Sequence, residues 1–171
     1  MQGSDDSIII RFSVMVLKIQ IVRYLDGHFP GWVECEFLDA ENHRHTLVER
    51  VRVISTQWFG PGASYPQAGG VACEILARWQ DASGRDLVRV TTDIPYSIES
   101  AEGVTEFVVL SSQVASAEAT IADLETKARE CEHEYEERSK TKPDRIAAAL
   151  RHNAQEYREW IAALKNGHWR S

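Results

Sequence analysis

Near Ser112 the spacing of apolar residues changes from two to about three and a half, and that single change limits what the chain can fold into. Before it, Leu17, Ile19 and Ile21 alternate with Lys18 and Gln20, as in a strand with one buried face. After it, Val114, Ala117, Ile121, Leu124, Ala128, Cys131 and Tyr135 step by threes and fours, as on one side of a helix. Strands followed by helices imply an α+β protein with two structural regions.

The strand region divides at its turns. D-G-H-F-P-G at residues 26–31 leads into a second strand over 32–39, and A-E-N-H leads into a third over 45–54. Strands over 71–79 and 86–92 flank D-A-S-G-R, a hairpin signal in which Gly84 supplies the positive φ of the turn. A last strand covers 105–110. About six short strands with polar turns predict a small antiparallel β-barrel or roll over residues 15–112. Residues 1–14 are read as an N-terminal extension, either of a shorter start at Met15 or as a first strand that pairs with an edge.

The helical region, 113–171, predicts a C-terminal antiparallel two-helix hairpin. Its second stripe is Ile146, Leu150, Asn153, Tyr157, Trp160 and Leu164. Between the helices, Thr141 is the expected cap with Asp144 three residues on, and Pro143 suits the first turn, where its missing N–H leaves no bond unmade. Gly167 is the expected stop. Residues 113–138 hold eight acids and three bases, residues 142–170 six bases and three acids, so the helices attract each other. Both stripes are narrow and rich in Ala, too little for a stable isolated hairpin. Tyr135, Tyr157, Trp160 and Leu164 are therefore expected to bury against a second copy, most simply a two-fold homodimer.

A net charge of −7 disfavours nucleic acid and anionic membrane as partners. The apolar run over 8–22 is broken by Arg11, Lys18 and Gln20 and preceded by acids, unlike a signal peptide or a membrane span. Three cysteines without C-x-x-C spacing fit a reducing compartment, so the chain is expected to be cytoplasmic.

V-E-C-E-F-L-D-A at 33–40 echoes V-A-C-E-I-L at 71–76, with its own D-A at Asp81 and Ala82. On a strand, Val33, Cys35 and Phe37 face one way and Glu34 and Glu36 the other, so Cys and Glu cannot converge on one reacting atom. Both cysteines are expected in the core, where burial raises the thiol pKa. A duplicated hairpin is one possible origin of the echo. His43 and His45 form an H-x-H near His28, but no ligand spacing joins them to the cysteines, and solvated turn histidines are expected without a metal or other cofactor.

W-F-G-P-G-A-S-Y-P-Q-A-G-G at 58–70 lacks the Lys-Ser/Thr of a phosphate loop. Its Trp58, Phe59 and Tyr65, with Tyr96 of the loop at 93–103, are the candidate anchors for a partner, or else cover an open end of the barrel. Asp93, Glu99 and Glu102 read as solvated loop acids, and no residue set supports a catalytic assignment.

K-I-Q-I-V-R-Y-x-D-x-H-x-P-G-W-V-E-C-E, followed by Y-P-Q-x-G-G-V-A-C-E and I-E-S-x-E-G, resembles a group of small bacterial proteins without an assigned activity, over residues 15–113. The resemblance implies a bacterial origin and a barrel-like first domain. The expected function is a non-enzymatic protein-interaction module, immunity-like or an assembly protein, binding a basic protein partner. The alternative is a small-molecule-binding barrel or enzyme whose pocket is formed by loops 58–70 and 93–103.

Overall fold

The computed structural model describes residues 14–26, 31–55 and 60–166. The elements are β1 (Met15–Asp26), β2 (Trp32–Leu38), β3 (Arg44–Arg50), a single helical turn α1 (Val51–Ile54), β4 (Gln67–Gln80), β5 (Asp86–Thr91), β6 (Glu106–Leu110), a 3₁₀ turn (Ser111–Gln113), β7 (Val114–Ser116), α2 (Glu118–Thr141) and α3 (Arg145–Asn166). The strands lie in the order β3–β2–β1–β4–β5–β6, each antiparallel to its neighbour, and curl into a half-barrel. The helices pack together after it, as the change of period requires.

β4 gives the sheet its curl. Residues 67–73 pair with β1 on one side, and residues 74–80 pair with β5 on the other, with a bulge between Ile75 and Ala77. The two edges of the roll are tied by loops: the Ala40 N–H donates to Val108 O at 2.9 Å, and the Ala101 N–H donates to Thr46 O at 2.8 Å. Phe37, His45 and Phe107 fill the seam, with the Phe rings edge to face at 5.0 Å between centroids.

Alternation fixes the core as expected. Leu17, Ile19 and Ile21 of β1, Val33, Cys35 and Phe37 of β2, and Val71 and Cys73 of β4 are buried. Two glycines of β4 are required by close approach. A Cβ on Gly69 would lie 2.8 Å from Ile54 Cγ2, and one on Gly70 would overlap a Val16 methyl.

Three boundaries differ from the reading of the sequence. Residues 51–54, read as the end of a strand, form α1, which turns Val51 and Ile54 into the open end of the roll and buries both. Val114, read as the start of a helix, lies in β7, which pairs with Met15 to Leu17 opposite β4, at the end of β1 beyond the reach of β2. Thr141 closes α2 and does not cap α3; the cap is Asp144, whose Oδ1 accepts the N–H of Ile146 and of Ala147, both at 3.0 Å. Gly167 lies outside the described residues.

The stripe of α3 is shifted by one position in part, while Leu164 stays buried and Leu150, Asn153, Tyr157 and Trp160 stay half-buried. Ala147, Ala154 and Ile161 are buried while Ile146 is 52% exposed. Alanine lets α2 approach closely, whereas the β-branched Ile146 faces water. The two helices carry the expected charge pairing, Arg158 to Glu132 at 2.9 Å and Lys165 to Glu125 at 2.9 Å.

The hairpin lies on the outer side of the sheet. Val14, Ala72, Ala117, Leu124, Ile161 and Leu164 form a second buried cluster, with Val16, Tyr96, Tyr157 and Trp160 packed against it. Arg52 of α1 ties the middle of α3 to the roll through an ion pair with Glu156 and a hydrogen bond to Asn153 Oδ1 at 3.1 Å. Among the described residues no helix is long and apolar enough to cross a membrane.

Candidate functional site

Strand pairing brings together an outer face that the helices leave uncovered. Across β1, β2 and β3 the register aligns Gln20 with Glu36 and Thr46, Arg23 with Glu34 and Val48, Trp32 with Arg50, and Leu38 with Arg44. With Val33, Cys35, Phe37 and Leu47 turned into the core, the alternate positions must face outward. Three of these outward residues are large and apolar: Trp32, Leu38 and Val48 are 39%, 45% and 46% exposed. Trp32 and Val48 are diagonal neighbours across β2 and β3, within reach of an indole ring.

Ion pairs set the polar part of this face in place. Arg23 grips Glu34 with two bonds, at 3.1 and 2.7 Å, and this guanidinium holds the Glu34 carboxyl below its ordinary pKa. Arg44 bonds Glu36 at 3.0 Å. Beside them a groove of about 630 Å³ is lined by Lys18, Gln20, Glu36, Leu38, Arg44 and Gln113 among others. Gln113 closes one end by donating from Nε2 to Leu38 O at 2.8 Å. The face is thus apolar at three points and carries ion pairs between them, a pattern that can match a complementary surface in one register.

A second concavity, a cleft of about 310 Å³, lies between the hairpin and the sheet. Gln67, Gly69, Gly70 and Tyr96 line it together with Arg52 of α1 and Trp160 of α3. The segments named for a pocket, 58–70 and 93–103, therefore contribute to it, but α1, α2 and α3, with Val16 of β1 and Ala72 of β4, supply the rest of the wall.

The anchors expected from the sequence fall in different places. Trp58 and Phe59 lie outside the described residues. Tyr65 is half-buried against the main core and donates from its hydroxyl to Gly60 O at 2.8 Å, which fixes its own loop. Tyr96 is half-buried between the two clusters, and burial raises its phenol pKa. Of the hairpin residues, Leu164 is buried, Tyr157 and Trp160 pack edge to face at 6.0 Å beside the sheet, and Tyr135 is half-buried on α2. Within one chain the Tyr157, Trp160 and Leu164 stripe thus meets the sheet.

The cysteines are where alternation put them. Burial pushes the Cys35 and Cys73 thiols up to about 12, with nearby Glu49 and Glu34 adding to the effect at Cys35. Burial among apolar side chains thus disfavours the thiolate form of both.

The histidines depart from the solvated reading. His45 is half-buried, its Nε2 is 2.9 Å from Asp39 Oδ2, and its ring stacks on Phe37, so it is a packing residue of the seam. His43 stays exposed. His28 lies outside the described residues, among which no cluster suited to a metal ion is found. The loop acids make local bonds: Asp93 accepts the Ser97 hydroxyl at 2.8 Å, and a hydrogen bond with Ser100 holds the Glu102 carboxyl below its ordinary range.

Trp32, Leu38 and Val48 were not among the anchors chosen from the sequence, although their signal was present. The parity that turns Cys35 inward also turns Trp32 and Leu38 outward with Glu34 and Glu36. Comparison with protein-family models, curated proteins and solved structures returns no match.

Proposed function

We propose that the chain is a protein-interaction module whose partner docks on the outer face of β1, β2 and β3. The observation that carries this reading is the exposure of Trp32, Leu38 and Val48 on a sheet face otherwise laced with ion pairs. Isolated surface apolar residues are ordinary, but a tryptophan and two aliphatic residues on adjacent strands, beside a groove, have the composition of an interface centre. The net charge of −7 draws a basic partner from a distance, and the apolar anchors hold it once docked. A binding role of this kind suits an assembly or immunity-like protein.

A photo-crosslinking residue placed at Val48 tests this in cells that make the protein. The expected result is one discrete adduct, lost when Trp32→Ala is added. The control position is Ile146 on α3, equally exposed and on another surface. An adduct that forms only from the Ile146 position, or that survives Trp32→Ala unchanged, contradicts the reading.

A second reading rests on the cleft beneath the hairpin. Its size suits a small ligand, and Tyr96 and Trp160 offer two aromatic walls. Native mass spectrometry of the purified chain should then show a bound small molecule that Ala72→Phe displaces. A chain that carries no such mass, and none from a metabolite mixture, removes this reading.

A further inference from the structure

The groove on the proposed docking face carries charge opposite to that of the chain. Of the described residues that line it, Lys18 and Arg44 are cations and Glu36 is the single anion, in a chain whose net charge is −7. Lys18 donates from Nζ to Ser112 O at 3.1 Å, a neutral carbonyl that takes one N–H donor and cancels no charge. Arg44 donates from Nη1 to Glu36 Oε2 at 3.0 Å, and with its side chain 66% exposed the guanidinium has further N–H donors to give.

Strand register lines the two cations up. Gln20 pairs with Glu36 across β1 and β2, so two residues further along Lys18 lies opposite Leu38, and Leu38 pairs with Arg44 of β3. Lys18, Leu38 and Arg44 thus form a row across three strands, with the outer two backbones about 10 Å apart. Side chains as long as Lys and Arg can meet over the exposed Leu38 between them.

We propose that this groove takes a carboxylate of the partner protein, from an Asp or Glu side chain or a chain terminus, an inference that rests on the docking face described above. The carboxylate accepts charge-assisted bonds from both cations, and its apolar stem covers Leu38. A polyanion such as nucleic acid or an anionic lipid surface is a poor occupant, because the net charge of −7 repels it before contact. A single carboxylate on an otherwise basic surface escapes that repulsion. Long-range charge thus brings the partner in, and the groove fixes where it sits.

A photo-crosslinking residue at Gln20, exposed in this groove, tests the proposal in cells that make the protein. Lys18→Met and Arg44→Gln should each lower the adduct yield at least about fivefold, and so should conversion to its amide of the partner carboxylate nearest the mapped attachment point. Lys165→Met on α3, which removes the same charge from an exposed pair on another surface, should leave the yield unchanged. Thermal unfolding of the purified variants checks that each keeps its fold. An adduct that survives either groove variant undiminished, or whose partner segment tolerates loss of its carboxylates, overturns the proposal. An equal fall with Lys165→Met makes the effect one of net charge and also overturns it. An adduct from Val48 without one from Gln20 overturns the groove alone and leaves the docking face standing, whereas no adduct from either position overturns both.

Discussion

Cys35 and Cys73 show how far a single strand position determines chemistry. Each lies on the inward side of its strand with no exposed surface, and burial holds its thiol protonated. Replacement of either by Ala should cost about 1 kcal/mol of stability and leave the outer face able to bind, as read by denaturant unfolding. Rapid reaction of both native thiols with a bulky reagent would be inconsistent with this placement. What the echo shares at atomic scale is its aspartate rather than its cysteine. Asp39 Oδ1 accepts the N–H of Glu41 and His43, and Asp81 Oδ1 accepts the N–H of Ser83 and Arg85, all within 2.9 to 3.0 Å. Asn42 and Gly84 occupy the same turn position, with φ of 63° and 83°. The two hairpins therefore use one turn design at the end of strands of different length. At Asp81 the Arg85 and Ser83 bonds lower the carboxyl pKa. A lowered folded-state pKa means that the stabilisation is fully present above the ordinary carboxylate value near ~4 and is lost as pH falls from there through the folded value. Asp81→Asn should flatten the acid limb of the stability curve measured between about pH 4 and 2; an unchanged acid limb would show that the turn bonds carry no net stabilisation.

Among the elements, those with many residues in one period were legible and the short ones were not. β1, β2 and the β4–β5 hairpin follow from alternation and from the D-A-S-G-R turn. α1 and β7 are four and three residues long, less than one full repeat of any pattern, so only tertiary contacts decide them. The same limit hid the cap. Thr141 and Asp144 both suit the position, and the choice falls to Asp144 because Arg138 of the preceding helix grips its carboxylate at 3.1 and 2.8 Å. α1 matters beyond its length because Arg52 joins it to α3. Its side chain is only 15% exposed, so truncation removes the cation that Glu156 and Asn153 share. Arg52→Ala should destabilise the chain by about 1–3 kcal/mol and raise exchange in α3 before the sheet. Equal loss of protection in sheet and helix would mean that the link serves the whole fold.

For the molecule as a whole, the loops at the ends of β2, β4 and β5 close the roll from opposite sides, and Arg85 joins two of the turns. It donates to Asp81 at 2.8 Å within its own hairpin, and to Ala40 O at 2.8 Å and Glu41 at 3.2 Å in the other. With the seam closed and the hairpin on β1 and β4, the face of β1, β2 and β3 is a broad sheet surface left open. The candidate site emerges only at this scale, since no local motif marks Trp32, Leu38 and Val48 until the helices are seen to lie elsewhere. Once the cross-linked partner is in hand, its affinity for the double variant Trp32→Ala, Val48→Asp is the most direct test. The double variant should unfold at nearly the same denaturant concentration as the parent and bind at least about 30-fold more weakly, the loss of a hot spot worth ~2 kcal/mol. Unchanged affinity in a folded double variant would place the partner on another surface and contradict the proposed function.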